Sequence, residues 1–198
     1  MEIMWGKHAS FISASALSQR LSGYETIHID LGTGDGRYVH NIAQTYPNGF
    51  AIGIDACREN LHEASRHGLP NVLFVIANAL SLPPELDGLA SHVTLNFPWG
   101  SLLEGLLSDD SPVLDGITSL VCPGAGLEVR LNGGALAEVG WSLEEGARQV
   151  RYVLNANGCA VRSPVAMTAS DLRSFPTTWA RRLAHGRDPR GVYLRGTW

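Results

Sequence analysis

The sequence predicts an α/β fold, with a mostly parallel seven-stranded sheet and helices on both of its faces. Seven short apolar runs alternate with stretches of helical periodicity, and this order produces parallel strands joined by crossover helices. The first run also ends in an acidic residue and a glycine-rich turn, where open sheets of this Rossmann-like type hold nucleotide-like ligands. The 198 residues can bury one substantial core, so we expect a single domain over 1–198.

Each apolar run has the length and composition of a buried strand. In chain order the runs cover residues 27–30, 50–54, 72–77, 92–97, 126–131, 159–165 and 191–196. Helices are predicted at 38–46, 58–67, 102–122 with interruptions, and 142–155. The last helix has the clearest boundaries, because Ser142 and Glu145 form a capping-box pattern and Gly158 follows its end.

The glycine-rich turn follows the first strand directly. Gly32, Gly34 and Gly36 can adopt positive φ and carry no Cβ that would keep a ligand away from the backbone. The amides at the start of the next helix then face the same ligand. A nucleotide-like cofactor is therefore expected at this turn.

The spacing of the glycines separates two classes of cofactor. Dinucleotide-binding turns carry G-x-G-x-x-G, whereas this chain has G-x-G-x-G with Asp30 two positions ahead of it. A carboxylate there repels a pyrophosphate but can hold the ammonium group of S-adenosylmethionine. Asp55, at the end of the second strand, can accept hydrogen bonds from the ribose hydroxyls of either cofactor. The alternative is that both acids are helix caps.

Composition limits the class of protein. Apolar residues make up 44% of the chain, and no apolar run approaches the roughly 20 residues that span a bilayer, so no membrane contact is expected. The first residues lack the pattern of a signal peptide, which predicts a cytoplasmic protein. The three cysteines are far apart and have no histidine cluster near them, so no metal site is predicted.

The charges are distributed unevenly. The formal net charge is −4, but residues 171–198 contain six arginines and two aspartates, a local balance of +4 that leaves −8 for residues 1–170. An arginine cluster of this kind can contact phosphates. A solvated helix face is the alternative interpretation.

Two tryptophans are candidates for contact with a substrate base. Trp99 follows the fourth strand, between Pro98 and Gly100, in a loop that should border the cofactor. Trp179 lies beside the arginine cluster. Aromatic faces can hold a flipped base by stacking while nearby cations hold the nucleic-acid backbone. The alternative is that Trp179 packs a helix onto the sheet.

Three motifs together resemble one enzyme family. The segments 29–37, 98–103 and 178–187, in this order, are similar to those of the Kam/Npm-type methyltransferases of 16S ribosomal RNA, and the resemblance extends over nearly the whole chain. It implies a class I S-adenosylmethionine-dependent methyltransferase fold. It also implies methylation of N1 of adenine 1408, in helix 44 of the 30S subunit, which gives aminoglycoside resistance. We further expect a monomer with a small hairpin in an N-terminal extension, 1–20.

The same resemblance implies roles for individual residues. Cofactor contacts fall on Asp30, Gly32, Thr33, Gly34, Asp35, Gly36, Arg37, Asp55, Ala79, Leu80 and Ser101. The flipped adenine is clasped by Trp99 and Trp179 with help from Pro98 and Thr178, or from Thr177 in place of Thr178. Contacts with rRNA phosphates fall on Lys7, Arg181, Arg182, Arg187 and Arg190.

The chain departs from the family pattern at several positions. Leu80 stands where the family usually has a glutamate, and the link 65–71 is short where the family has a long lysine-rich segment. The segment 132–135 is abbreviated and the loop 188–190 is less basic than usual. Each lost phosphate contact removes counterion release, so weaker rRNA binding with a shallower salt dependence is expected.

Other functions stay open beside this one. A related methyltransferase would act on a different RNA or on a small molecule, and a non-catalytic protein would bind S-adenosylmethionine and the ribosome without methyl transfer. An NAD-dependent oxidoreductase is disfavoured by the glycine spacing. It is also disfavoured by the absence of a Tyr-x-x-x-Lys pair, because Lys7 is the only lysine.

Overall fold

The computed structural model describes residues 1–186 and 188–198. Within them, nine strands form one sheet. The strands are β1 (Glu2–Trp5), β2 (His8–Phe11), β3 (Thr26–Leu31), β4 (Gly49–Asp55), β5 (Val72–Ile76), β6 (Ala90–Asn96), β7 (Val121–Asn132), β8 (Val165–Met167) and β9 (Gly191–Thr197). The helices are α1 (Ala14–Leu21), α2 (Arg37–Thr45), α3 (Arg58–Ala64), α4 (Gly100–Leu107), α5 (Pro112–Leu120), α6 (Gly133–Glu138), α7 (Leu143–Ala156), α8 (Ala169–Ser174) and α9 (Thr178–Ala184), with a 3₁₀ turn at Pro84–Leu86.

The centre of the sheet is parallel and its edges are antiparallel. The strand order is β2-β1-β5-β4-β3-β6-β7-β9-β8, and the five strands from β5 to β7 run in one direction. At one edge β9 and β8 are antiparallel, and at the other the hairpin of β1 and β2 is antiparallel to β5. The predicted α/β fold is therefore confirmed.

The sheet contains two strands more than the seven predicted. The seven predicted runs correspond to β3–β9, and the additional strands β1 and β2 form a hairpin inside the N-terminal extension where the resemblance implies one. These strands have only four residues each, and every residue of β2 is exposed. Without a buried apolar run they carry no strand pattern in the sequence.

Two predicted elements have different boundaries. The run 159–165 is not a strand over its length: the amides of Ala160 and Arg162 bond to β9, but β8 itself begins only at Val165. Pro164 lies between them and has no amide hydrogen to continue the pairing. The stretch 102–122 divides into α4 and α5, because Ser111 caps α5 and a proline occupies its first turn.

Alternation along the strands sends apolar side chains to both helical layers. On β3, Ile29 and Leu31 point into the larger core, which also contains the apolar faces of α1, α4, α5 and α7. On the other face α2 and α3 pack over β4 and β5. The helices α8 and α9 pack on the same side against Phe97, just beyond β6. This second layer leaves the space above His28 and the neighbouring strands uncovered.

No helix in the described part of the chain is long and apolar enough to cross a membrane.

The close packing around Gly36, at the start of α2, predicts that any side chain there destabilises the fold. A Cβ on Gly36 would lie 2.5 Å from Ala64 Cβ and 2.7 Å from the Phe74 ring, with φ at +67°. We expect Gly36→Ala to lower the free energy of unfolding by about 2–4 kcal/mol, from overpacking and left-handed backbone strain together. The urea midpoint measures this loss.

Gly34→Ala is the matched control, because φ is +56° there and a Cβ would have no neighbour within 4 Å. It carries the backbone strain alone, about 1–2 kcal/mol. Equal losses in the two variants would contradict the packing argument.

Candidate functional site

The glycine-rich turn is fixed to the ends of two parallel strands. The amides of Gly32 and Thr33 both donate to the carbonyl of Ile54, at 2.9 Å, so the turn after β3 is bound to the end of β4. All three glycines have positive φ, as the sequence predicts. Gly34 borders open space, whereas Gly36 is buried against the side chains of α3 and β5. A ligand can therefore approach the backbone closely at Gly34 but not at Gly36.

Asp55 links this turn to the start of α3. Its Oδ2 accepts the amide of Gly34 at 2.8 Å, and its Oδ1 accepts the amide of Cys57 at 2.8 Å and the side chain of Asn60 at 3.2 Å. The cap residue of α3 is Cys57, so Asp55 is not its N-cap. The half-exposed carboxylate keeps lone pairs free for a ligand's hydroxyl groups.

Asp30 lies beneath the turn and is only 1% exposed. Its Oδ1 accepts a hydrogen bond from Thr94 Oγ1 at 2.6 Å and another from Asn96 Nδ2 at 2.8 Å. Burial raises the pKa of the Asp30 carboxyl to about 6, although these hydrogen bonds act in the opposite direction. An approaching cation would stabilise the charged form, so the site is suited to an ammonium group. The N-cap of the following helix, α2, is Gly36, so Asp30 does not cap it.

The other predicted cofactor residues lie around this centre. Thr33 is buried against Gly53, and Asp35 forms an exposed ion pair with Arg37 at 3.4 Å. Ala79 is half-buried and Leu80 is 43% exposed, in the loop after β5. Ser101 is exposed in the first turn of α4. The loops after β3, β4, β5 and β6 thus meet at one end of the sheet, the usual ligand position in such folds.

The two tryptophans meet at the edge of this centre. The ring centroids of Trp99 and Trp179 are 5.7 Å apart and the ring planes make an angle of 85°. Both side chains are exposed, by 43% and 39%. The buried residues of α9 are instead Ala180 and Ala184. Trp179 therefore does not serve to pack its helix onto the sheet.

The loop that carries Trp99 has a strained backbone. Phe97 has φ at +56° and is the only non-glycine residue with positive φ in the ranges 1–186 and 188–198. Its buried side chain packs with Leu172 and Ala180, and its amide donates to Arg130 O at 2.8 Å. Such strain persists only where surrounding contacts hold it, and it is concentrated at functional sites.

Three residues predicted to support the tryptophans differ in burial and in their hydrogen bonds. Pro98 is buried between Phe97 and Trp99. Thr177 is the N-cap of α9, since its Oγ1 accepts the amide of Ala180 at 3.0 Å. Thr178, the residue preferred from the sequence, is half-buried in the first turn and has no such capping bond. Of the two threonines, Thr177 thus orients the helix that carries Trp179.

The residues predicted to bind phosphates differ in their exposure and in whether they are already paired. Arg181 and Arg182 are exposed on α9, and Lys7 is exposed in the turn of the hairpin. Arg190 binds both carboxylate oxygens of Asp188, at 2.7 and 3.0 Å, which reduces its availability. Arg187 lies outside the described residues.

Sequence reasoning missed a polar network behind the site. Arg130 donates from Nη1 to Asn96 Oδ1 at 2.9 Å and from Nη2 to Glu128 Oε2 at 2.8 Å. Burial alone would raise the pKa of Glu128, but Tyr193, Arg130 and Arg195 lower it to about 2. The signal in the sequence was the alternation of β7, where charged residues at 128 and 130 separate apolar ones.

A separate cavity lies on the uncovered sheet face beside α2. It measures about 630 Å³, and its lining includes His28, His92, Glu128 and Arg195. Burial lowers the pKa of His28 to about 4, so the ring is neutral, and its Nε2 lies 3.1 Å from Thr94 Oγ1. We place the chemistry at the glycine turn instead, because the carboxylates, strained loop and tryptophans converge there. No cluster of three or more metal-ligating side chains occurs in the part of the chain that the structure describes.

Comparisons with known proteins agree with this arrangement. The family model described as "NpmA: 16S rRNA (adenine(1408)-N(1))-methyltransferase" matches residues 2–197. A 16S rRNA (adenine(1408)-N(1))-methyltransferase of Escherichia coli is 32% identical, with 94% of each chain covered. The crystal structure of the 16S rRNA methyltransferase KamB superposes with a TM-score of 0.89 at 30% identity, covering 100% of this chain and 99% of that one.

A third relative was crystallised with the cosubstrate. It is the W203A mutant of the 16S rRNA (adenine(1408)-N(1))-methyltransferase from Catenulisporales acidiphilia, with SAM, at a TM-score of 0.88 and 25% identity. The alignment covers 100% of this chain and 96% of that one. The fold, the glycine turn and the extent of these matches lead to one conclusion: the chain belongs to the NpmA family of 16S rRNA (adenine(1408)-N(1))-methyltransferases.

Proposed function

We propose that this chain transfers a methyl group from S-adenosylmethionine to N1 of adenine 1408 in the 16S rRNA of the 30S subunit, and thereby gives aminoglycoside resistance. The observation that carries the proposal is the pair Trp99 and Trp179 at the edge of the glycine turn, in a chain of this family. Helix 44 is the docking site, the enzyme acts as a monomer, and it acts in the cytoplasm where its substrate is assembled.

The residues at the turn fit S-adenosylmethionine. Asp30 is the partner for the ammonium group, because its charged form is costly until a cation approaches. Asp55 accepts from the ribose hydroxyls, and the turn formed by Gly32, Thr33 and Gly34 borders the amino-acid part. Further contacts come from Asp35, Arg37, Ala79, Leu80 and Ser101. Gly36 contributes through packing, not contact.

The cofactor supplies an electrophilic methyl group on a sulfonium. N1 of adenine has a free lone pair at neutral pH, so the chain needs no general base. Its contribution is positioning, which holds N1 and the methyl group close and aligned. Trp99 and Trp179 hold the flipped base, and Pro98, Thr177 and Thr178 set the positions of these two rings.

Base entry requires a change at the tryptophans. A base sandwiched between two parallel rings needs a separation of roughly 7 Å, twice the stacking distance of about 3.4 Å. The rings now lie 5.7 Å apart, edge to face, so one of them must turn. Exposure of both side chains leaves them free to do so.

Docking on rRNA uses cations around the tryptophans. Arg181 and Arg182 follow Trp179 on the same helix, and Lys7 and Arg190 add contacts farther away. Arg187 belongs to the same proposal by its place in the family motif.

One alternative retains support from specific observations. The exposed Leu80 replaces the family's polar side chain, and Arg190 is already paired with Asp188. A methyltransferase of a different RNA or small molecule would tolerate both features. A non-catalytic protein that binds S-adenosylmethionine and the ribosome is distinguished from both by the absence of methyl transfer.

The stacking role of Trp179 is tested on 30S subunits. With S-adenosylmethionine, the unaltered chain is expected to give a strong primer-extension stop at adenine 1408. Trp179→Ala should slow this methylation at least about tenfold, since base stacking contributes ~1–3 kcal/mol. Its affinity for S-adenosylmethionine, measured by calorimetry, should change less than threefold.

Tyr152→Ala removes an exposed aromatic side chain on α7, away from the site, and should methylate normally. Unimpaired methylation by Trp179→Ala would refute the clasp, and methylation of other RNA in place of adenine 1408 would favour the alternative substrate.

The raised pKa of Asp30 predicts that the stability of the fold depends on pH. The pKa of Asp30 is about 6 in the folded chain and 3.8 ordinarily. Protonated Asp30 therefore stabilises the fold fully below pH ~4, and this stability is lost as the pH rises through 6, at a cost of roughly 2–3 kcal/mol. Asp30→Asn removes that cost, so it should raise the urea midpoint at pH 7.5 but not at pH 4.

The same substitution should weaken S-adenosylmethionine binding at pH 7.5 by at least about tenfold, because a charge-assisted hydrogen bond to the ammonium group is lost. Calorimetry measures the affinity. A gain in stability equal at both pH values, or an unchanged affinity, would contradict the assignment of Asp30.

A further inference from the structure

One side chain connects the cofactor side of the site with both tryptophan-bearing segments. The guanidinium of Arg130 lies on β7 with its side chain only 11% exposed. It donates to Asn96, which itself donates to the Asp30 carboxylate. Because Arg130 is largely shielded from solvent and already paired, it is not available to dock on rRNA phosphates. It also has no role in the methyl transfer described above.

The same guanidinium is stacked on aromatic rings. Its central carbon lies 4.4 Å from the ring centroid of Phe175 and 4.7 Å from that of Tyr193, with Tyr38 farther away at 5.9 Å. The Phe175 ring is stacked on Tyr38, with centroids 5.3 Å apart and planes at 19°. Cation–π contacts are strongest for guanidinium groups removed from water, so the contact with Arg130 holds Phe175 in place.

Phe175 is the anchor of the segment that carries Trp179. It ends α8 and precedes Thr177, the cap of α9, by two residues. The direction of α9, and with it the position of Trp179, depends on this turn. The Phe175 ring also packs edge to face against the ring of Phe97, with 5.8 Å between the ring centroids. Phe97 lies two residues before Trp99.

We infer that Arg130 is a positioning residue that fixes the backbone segments carrying Trp99 and Trp179 relative to each other and to Asp30, while the two rings can still turn. It holds the turn before Trp179 through Phe175, and it holds the strand end before Trp99 through Asn96 and its own backbone carbonyl, which accepts from Phe97. Neither lysine nor an apolar residue offers both a planar stacking face and two directed donors. The inference rests on the proposed role of the two tryptophans in holding the base.

Arg130→Met keeps most of the side-chain volume and removes the cation and both donors. The near-ultraviolet circular dichroism of the tryptophan pair, identified as the part lost in Trp179→Phe, should fall by at least half. The kcat for methylation of 30S subunits should fall about 10- to 100-fold. The Kd for S-adenosylhomocysteine, measured by calorimetry, should change less than threefold. A variant that merely lost structure would lose cofactor affinity together with kcat and the tryptophan signal. Arg130→Lys should be intermediate.

Tyr193→Phe is the control, because it removes the hydrogen bond to Glu128 but leaves the ring against Arg130. All three quantities should stay within twofold of the unaltered chain. Phe175→Leu removes the stacking partner and leaves the hydrogen bonds of Arg130 intact. Phe175→Leu should also lose the tryptophan signal. If Arg130→Met shows no cooperative unfolding and is therefore not properly folded, Phe175→Leu decides whether this stack positions the tryptophans.

An unchanged tryptophan signal in Arg130→Met, or in Phe175→Leu where that variant decides, would overturn the inference. So would a loss of S-adenosylhomocysteine affinity as large as the loss of kcat. The spectroscopic and calorimetric measurements need no ribosome. If the unaltered chain failed to methylate 30S subunits, the proposed function would fall while these measurements still decided the role of Arg130.

Discussion

The site depends on one buried carboxylate. Asp30 is held under the glycine turn by hydrogen bonds from Thr94 and Asn96, both on the neighbouring strand β6. A carboxylate in such surroundings is costly to charge; its hydrogen bonds and the nearby Arg130 relieve part of this cost, and a bound cation would relieve more. The fold thus keeps a destabilising group in its centre, which is typical of sites that exchange stability for binding.

The second constraint is the strained backbone at Phe97. Left-handed conformation costs a non-glycine residue roughly 1–2 kcal/mol, and the contacts of Phe97 with α8 and α9 offset it. Because the same contacts come from the segment that carries Trp179, the two tryptophans cannot be positioned independently. Residues far apart in the chain therefore act as one unit at the site.

Sequence patterns were sufficient for the glycine turn and the parallel strands. Both depend on local spacing: G-x-G-x-G sets the turn, and apolar runs set the buried strands. Local spacing does not contain the Arg130 stack, which arises from long-range packing. It also does not distinguish Thr177 from the adjacent Thr178 as the cap of α9. It likewise misassigned 159–165, where Pro164 interrupts the pairing with β9, and it left the short N-terminal strands without a signal.

The departures from the family pattern acquire a physical meaning once the tryptophans are placed. Opening their edge-to-face contact costs about 0.5–1.5 kcal/mol, and flipping a base costs a few kcal/mol more. Stacking on two rings returns about 2–6 kcal/mol at ~1–3 kcal/mol per contact, so the base pocket alone barely balances these costs. Net affinity for rRNA must then come from phosphate contacts, and Arg190, paired with Asp188, contributes less than a free arginine. In the proposed binding to rRNA, Arg181 and Arg182 therefore contribute a larger share than the size of the arginine cluster suggests.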